Sequence, residues 1–192
     1  ARSTRLDLPD DVEEVYAYFE ENGYGDGHPV VPPTVERVER FLEAGDLNSD
    51  TEIAVLDPSK GSATVEKIAI NAVMAGCIPA HMDVIIAAIE ALASFPKLSN
   101  SMTTAHSTSP LILVGGPVAK ELGIGSGAGG STVSWRANAA IARAVRLCLI
   151  NIAGIPGTTD CNTFVWLPKY MYCVAENDEA NPWEPFAIEK GY

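Results

Sequence analysis

A cysteine and a histidine lie at a break between two apolar segments of the chain. Cys77 ends the stretch NAVMAGC, and His81 ends the stretch IPAH that follows it. Cys77 therefore precedes the first turn of a predicted helix, where unpaired N–H groups and the positive end of the helix dipole stabilise an anion. We expect these effects to lower the pKa of Cys77 below that of a free thiol. His81 would then exchange a proton with the sulfur.

The same position also suits a cysteine that has no chemical role. Cysteine is among the residue types most often buried, and the triplet AGC is typical of tight packing. Two interpretations of Cys77 stay open, a reactive thiol and a small core residue. For a reactive thiol, Glu66 and Glu176 are the candidate proton-transfer groups, because Glu66 lies in the helix that ends at Cys77 and Glu176 follows a predicted strand.

A glycine-rich stretch, GIGSGAGGST, separates a predicted strand from a long predicted helix. In that context backbone N–H groups can gather around an anion. The stretch is neither a P-loop nor a dinucleotide-binding fingerprint, so it predicts a carboxylate or phosphate on a small substrate. The alternative is a turn that needs positive φ at several positions. The candidate binding residues here are Gly127, Gly129, Gly130, Ser131 and Arg136.

Three arginines lie on the long helix predicted after these glycines, over residues 134–153. Arg136 is in the first turn, close to any anion that the glycines hold, so we expect it to contact substrate. Arg143 and Arg146 lie further along among apolar residues. In so acidic a chain they are expected to form structural ion pairs, with Glu66 and Glu176 as candidate partners.

A second interpretation of the polar residues is a divalent metal site. The loop GDGHPVVPPT carries Asp26 and His28, and His106 lies in TTAHSTSP. Together with Glu66 and a thiol, these residue types suit a mixed metal site. No pair of histidines has the HxxxH spacing of a helical site, and the alternative is that both histidines form hydrogen bonds at the surface. The cofactor prediction thus stays open between none and a divalent metal.

Composition bounds the class of protein. The 192 residues suit one domain, and the net charge of -12 argues against binding to nucleic acid or to an anionic membrane surface. No signal-peptide pattern and no apolar membrane span are visible. The four cysteines form no CxxC pair and no zinc spacing, which is typical of a reduced cytoplasm. We therefore predict a cytoplasmic protein.

Hydrophobic periodicity predicts an α/β or α+β fold, a single layered domain over residues 1–192 with short strands flanked by apolar helices. An N-terminal helix is predicted within 1–22 and an irregular C-terminal tail over 176–192. Between them lie predicted helices over 35–45, 62–77, 79–95 and 134–153, and predicted strands over 51–57, 109–117 and 170–177.

Four stretches in order resemble one protein family: DGHPVVPPT, ATVEKIAINAVMAGC, WRANAAIARAVRLCLINIAG and KYMYCVAENDEANPWEP. They resemble a bacterial family labelled UGSC-type (seleno)protein, over roughly residues 22–192. The resemblance implies a bacterial cytoplasmic protein tied to thiol or selenol redox chemistry. The Sec/Cys-Gly-Ser-Cys motif that gives the label is absent, His28 stands where an aliphatic residue is expected, and a glycine expected before Lys169 is missing. The resemblance adds Asp26, Asn71 and Asn138 as candidate substrate-binding residues.

Three functional hypotheses follow from these residues. The first is an enzyme that acts on a small anionic metabolite, as a thiol-assisted lyase or hydratase or in a reductive cleavage. The second is a hydratase or lyase that depends on a divalent metal held by Asp26, His28, His106 or Glu66. The third is a non-catalytic subunit of a larger enzyme complex. All three leave room for a homo-oligomer or a hetero-oligomer with a partner subunit.

Overall fold

Helices and short strands alternate along the chain. The structure, a computed structural model, describes residues 3–46, 48–102, 109–130, 135–155 and 172–191. A 3-10 turn (Pro79–His81) leads into the fourth helix. The elements in chain order are α1 (Val12–Glu21), α2 (Val35–Ala44), β1 (Glu52–Leu56), β2 (Gly61–Thr64), α3 (Val65–Met74), α4 (Met82–Ala93), α5 (Leu98–Met102), β3 (Leu111–Val114), α6 (Pro117–Glu121), α7 (Arg136–Asn151), β4 (Tyr172–Ala175) and α8 (Phe186–Glu189).

Helix α7 is the centre of the core. It is buried on almost every side, and it packs against α3, α4 and β4. Its sequence explains this position, because Ala, Ile, Val and Leu occur all round the helix instead of along one stripe. Helix α3 is buried in the same way, whereas α1 and α2 bury only one face each. The buried helices thus bring their few polar side chains into the interior.

The strands form two separate pairs. β1 and β2 make an antiparallel hairpin, and β3 pairs with β4 in parallel, with Leu111 opposite Tyr172 and Val114 opposite Ala175. Parallel neighbours need a long connection, and here it contains α6 and α7. Short sheets of both kinds beside buried helices make an α+β single domain, which confirms the predicted fold class.

Several predicted element boundaries were wrong for local reasons. The helix predicted over 62–77 begins at Val65, because residues 61–64 form β2 and the Thr64 hydroxyl caps the helix by accepting from the Lys67 N–H at 3.4 Å. The helix predicted within 1–22 is present as Val12–Glu21, and the side chain of Asp11 caps two N–H groups at its start. The tail predicted as irregular contains α8.

The hairpin docks against the end of α7. The Ser59 N–H donates to the Ala153 carbonyl at 3.0 Å, and a Cβ at Gly61 would overlap the Ile152 carbonyl. Position 61 therefore requires glycine for close backbone approach. Among the described residues, no helix combines the length and the apolar character that crossing a membrane requires.

Candidate functional site

The guanidinium of Arg136 joins the start of α7 to the end of α3. Its Nε and Nη2 atoms donate to the Gly76 carbonyl at 3.3 and 3.0 Å. Because Gly76 directly precedes Cys77, this positive charge lies beside the break between α3 and the 3-10 turn. Arg136 is exposed, and within the described ranges no carboxylate pairs with it. The break therefore carries a cation that the described part of the chain does not neutralise.

Cys77 lies beside this cation but is buried, with 7% of its surface exposed. Burial raises the pKa of the thiol well above its ordinary value of 9.0, and the charges of Arg136 and Arg143 only partly offset that rise. The expected lowering of the Cys77 pKa is therefore wrong. The helix terminus after Cys77 is weak, since a 3-10 turn begins there and Pro79 has no N–H group to donate.

His81 forms hydrogen bonds through both ring nitrogens. Its Nδ1 accepts from the Ile78 N–H at 3.4 Å, and the Leu122 carbonyl also hydrogen-bonds the ring, which leaves Nε2 as the donor. Burial lowers the pKa of His81 below 6.5, and the charge of Arg136 lowers it further. With both nitrogens engaged, His81 does not serve as a base for Cys77. It ties the break to the end of α6 instead.

Asn138 organises the glycine-rich loop. Its Oδ1 accepts from the Gly125 N–H at 2.7 Å, and its Nδ2 donates to the Gly125 and Gly130 carbonyls at 3.2 and 2.7 Å. The side chain is buried, with 4% exposed. Asn138 thus uses its amide to hold loop backbone in place, and the structure gives it this role where the resemblance implied substrate contact.

The loop lies beside Arg136 in a restrained conformation. Gly127 and Gly129 have positive φ values of 64° and 82°, so both interpretations of the glycines, as turn formers and as an anion cradle, remain compatible with the backbone. The Gly130 N–H donates to the Gly127 carbonyl at 3.0 Å and is not free for a ligand. The Trp135 ring lies against Gly125, where an added Cβ would come within 2.5 Å of it.

Asp26 and Arg143 form a part-buried ion pair. Arg143 Nε and Nη2 donate to the two carboxylate oxygens of Asp26, each at 2.8 Å, and Nη2 also donates to the His28 carbonyl at 3.0 Å. Burial raises the pKa of Asp26, but hydrogen bonding to Arg143 and its charge outweigh burial and hold that pKa below 3.8. Asp26 is therefore a partner for Arg143, and the prediction that Glu66 or Glu176 would pair with Arg143 is wrong.

The two predicted proton-transfer carboxylates hold other parts of the chain through hydrogen bonds. Glu66 is the second residue of α3, so it lies about 15 Å along the helix direction from Gly76 at the break. Its Oε2 accepts from the Ser3 N–H at 2.9 Å. Glu176 accepts from the Phe186 N–H at 2.9 Å and from Asn181 Nδ2 at 3.1 Å, which secures the C-terminal segment. These contacts give both carboxylates structural roles.

Asn71 joins α3 to the end of α7. Its Nδ2 donates to the Lys67 carbonyl at 2.9 Å, and its Oδ1 accepts from Asn151 Nδ2 at 2.6 Å. Asn151 also donates to the Tyr24 carbonyl at 3.0 Å. Asn71 is 3% exposed, so these bonds satisfy a buried amide and anchor the loop that carries Asp26.

The predicted metal site receives no support from the described residues. Across the ranges that the structure covers, no group of three His, Cys, Asp or Glu side chains is arranged to hold a metal ion. Asp26 binds Arg143, and the backbone N–H of His28 donates to Asp26 Oδ1 at 3.3 Å. His106 and the candidate anion ligand Ser131 lie outside the described residues.

Two features of the site had no signature in the sequence. The carbonyls of Gly76 and Leu122 hold Arg136 and His81, and a backbone acceptor cannot be recognised from residue type. The contact between Trp135 and Gly125 could have been anticipated in part, because a glycine is needed where an aromatic ring approaches the backbone. The sequence does not show which of the neighbouring glycines the ring contacts.

Comparisons with protein-family models, with curated proteins and with solved structures found no match to this chain. The resemblance to the UGSC-type family therefore stays a prediction. The chemistry of the site has to be inferred from its own contacts.

Replacement of Asp26 by asparagine should destabilise the protein by about 1–3 kcal/mol at pH 7, because it leaves the part-buried Arg143 guanidinium without a counter-charge. The folded pKa of Asp26 is lowered, so its stabilising contribution is present above pH 3.8 and is lost as the pH falls through the folded value. The urea unfolding curves of wild type and Asp26→Asn should therefore converge once the pH is below the folded pKa of Asp26. Glu179→Gln, which breaks an exposed pair with Lys120, is the control and should leave the midpoint unchanged.

Native Cys77 should resist iodoacetamide at neutral pH, because burial raises the pKa of the thiol and keeps it protonated. Mass spectrometry of the alkylated peptides should show modification of Cys77 only after unfolding in urea. Cys148, which is fully buried, is the internal control. Like Cys77, it should be modified only after unfolding. Rapid alkylation of Cys77 alone in the native protein would show that the thiol is activated after all.

Proposed function

We propose that this chain is an enzyme that binds a small carboxylate or phosphate metabolite at the start of α7. The observation that carries the proposal is the guanidinium of Arg136, which is oriented by the Gly76 carbonyl and lacks a carboxylate partner among the described residues. A planar guanidinium presents paired donors to an oxyanion. Arg136 uses Nε and Nη2 to contact the Gly76 carbonyl, so its Nη1 edge is available to a ligand.

The contrast with Arg143 supports this role for Arg136. Both arginines belong to α7 and both lie near Cys77, but Arg143 has its counter-ion in Asp26. In a chain with a net charge of -12, carboxylates are abundant, yet none in the described ranges neutralises Arg136. An accessible arginine kept free of carboxylates suits an anionic ligand better than a structural ion pair.

The state of Cys77 favours one kind of chemistry over another. A thiol with a raised pKa is a poor nucleophile at neutral pH, since attack requires the thiolate. When water adds to a double bond conjugated to the carboxylate, the adjacent carbon gains the electron pair of that bond. The Cys77 S–H bond then breaks as a C–H bond forms, and the proton that the added water loses restores the thiol. The proposed reaction class is therefore a lyase or hydratase with Cys77 as proton donor, ahead of a reductive cleavage.

A second candidate function, a subunit that works with a partner chain, is favoured by β3. Its side chains Leu111 and Leu113 are 62% and 43% exposed. They border a groove of about 460 Å³ between α4 and β3, lined by apolar residues such as Val84 and Leu92. Exposed apolar surface of this kind is typical of protein contacts. This function predicts no binding of small anions by the isolated chain.

Replacement of Arg136 by glutamine should weaken binding of the anion by about 10- to 100-fold, since a charge-assisted hydrogen bond contributes about 1.5–3 kcal/mol. Calorimetric titrations with acetate, succinate and inorganic phosphate measure this change. Arg40→Gln is the matched control, because Arg40 is exposed on α2 and makes no ion pair within the described part of the chain. Equal binding by both variants, or none by wild type, would contradict the proposed anion site.

Incorporation of deuterium at carbon tests the role of Cys77. Incubated in D2O with an unsaturated carboxylate such as fumarate, the wild-type enzyme should place deuterium next to the carboxylate, because S–D donates to the carbanion that forms when water adds to the double bond. Cys77→Ser should lose at least about 100-fold of this rate, a typical share for an acid–base group. NMR of the product measures the incorporation. Incorporation that is absent or equal in both proteins would contradict the proton-donor role and leave the anion site intact.

A further inference from the structure

Arg146 is a buried cation without a counter-charge among the described residues. It is 4% exposed, and it forms no hydrogen bond or ion pair with any residue that the structure describes. Its flanking turns on α7 present Ala142 and Ile150, both buried and apolar. The sequence of α7 contains no aspartate or glutamate, so the helix cannot supply a partner itself. The predicted ion pair of Arg146 with Glu66 or Glu176 is therefore not found.

The small exposure of Arg146 includes its charged end. Among the described residues, the side-chain polar atoms that are both shielded from solvent and unbonded are the hydroxyls of Ser3 and Ser109. The guanidinium nitrogens of Arg146 also lack a hydrogen-bond partner among the described residues, but they are not among the atoms shielded from solvent. The guanidinium thus reaches a space that a small molecule of solvent can enter, while the rest of the side chain is enclosed.

Burial of an uncompensated guanidinium is strongly unfavourable. The cost of removing an ion from water amounts to several kcal/mol, and in most buried ion pairs a carboxylate repays it. A guanidinium keeps its charge at any pH at which proteins fold, so loss of a proton offers no relief. An anion that enters the solvent-accessible space beside the guanidinium would supply the missing counter-charge.

We propose that Arg146 is the binding group of a second anion site, which takes the oxyanion of a carboxylate or phosphate. The site is separate from the one at Arg136. The two arginines lie about 15 Å apart along the axis of α7, given the helical rise per residue. A small anion bound by one guanidinium therefore does not contact the other, and the two sites can be tested independently.

Replacement of Arg146 by methionine tests the proposal without relying on a loss of folding. In Tris chloride buffer, Arg146→Met should unfold at a higher urea concentration than wild type, because an apolar side chain of similar length replaces an uncompensated charge. Arg143→Met is the matched control on the same helix. It should unfold at a lower urea concentration, since it leaves the Asp26 carboxylate buried alone.

Addition of inorganic phosphate or sodium acetate, at constant ionic strength, supplies the second readout. One of these anions should raise the urea midpoint of wild type and of Arg136→Gln, with an apparent Kd at least 10-fold weaker for Arg146→Met. Phosphate and acetate tested separately distinguish the two oxyanion chemistries. Arg146→Gln, which removes the charge and keeps a polar side chain, should show the same loss as the methionine variant.

Three outcomes would overturn the second site. Lower stability of Arg146→Met in chloride would mean that Arg146 has a structural partner. If both anions stabilised wild type and Arg146→Met equally, or if neither stabilised wild type, Arg146 would not bind an anion. If Arg136→Gln abolished the stabilisation by the anions and Arg146→Met did not, the anions would bind at the start of α7 and not at Arg146.

Discussion

The burial of α7 is the constraint on which the rest of the structure depends. This helix is apolar on nearly all sides, yet it carries Arg136, Arg143 and Arg146 and no acidic residue. Packing it at the centre of the domain therefore requires a separate solution for each guanidinium. Arg143 receives the Asp26 carboxylate from a distant loop, and Arg136 receives the Gly76 carbonyl at the end of α3. Arg146 receives nothing from the described residues.

The same packing places Cys77 and also suppresses its ionisation. The thiol lies where α3 ends against α7, so it is close to two positive charges and almost free of solvent. Desolvation of a thiolate in such a place outweighs the field of nearby cations. Proximity to arginine alone thus does not activate a cysteine, and the buried environment suits proton donation to a strongly basic carbon better than nucleophilic attack.

The sequence predicted the local features of the fold well and the distant contacts poorly. Long apolar periodicity gave α3, α4 and α7 to within a few residues at most ends. β2 was missed because GSAT has no alternating pattern. The pair of Asp26 and Arg143 joins residues 117 positions apart, which no local spacing reveals. The pKa of Cys77 was misjudged because its position at a helix break was visible in the sequence and the depth of its burial was not.

The overall charge of the chain affects how an anion would reach either arginine. At a net charge of -12, the mean field of the protein repels small anions, so electrostatic steering does not increase their rate of association. Affinity must then come from short-range contacts, where a guanidinium offers paired donors with fixed geometry. The carbonyl of Gly76 provides that fixed geometry for Arg136. A flexible surface lysine in the same field would have neither the paired donors nor the fixed geometry.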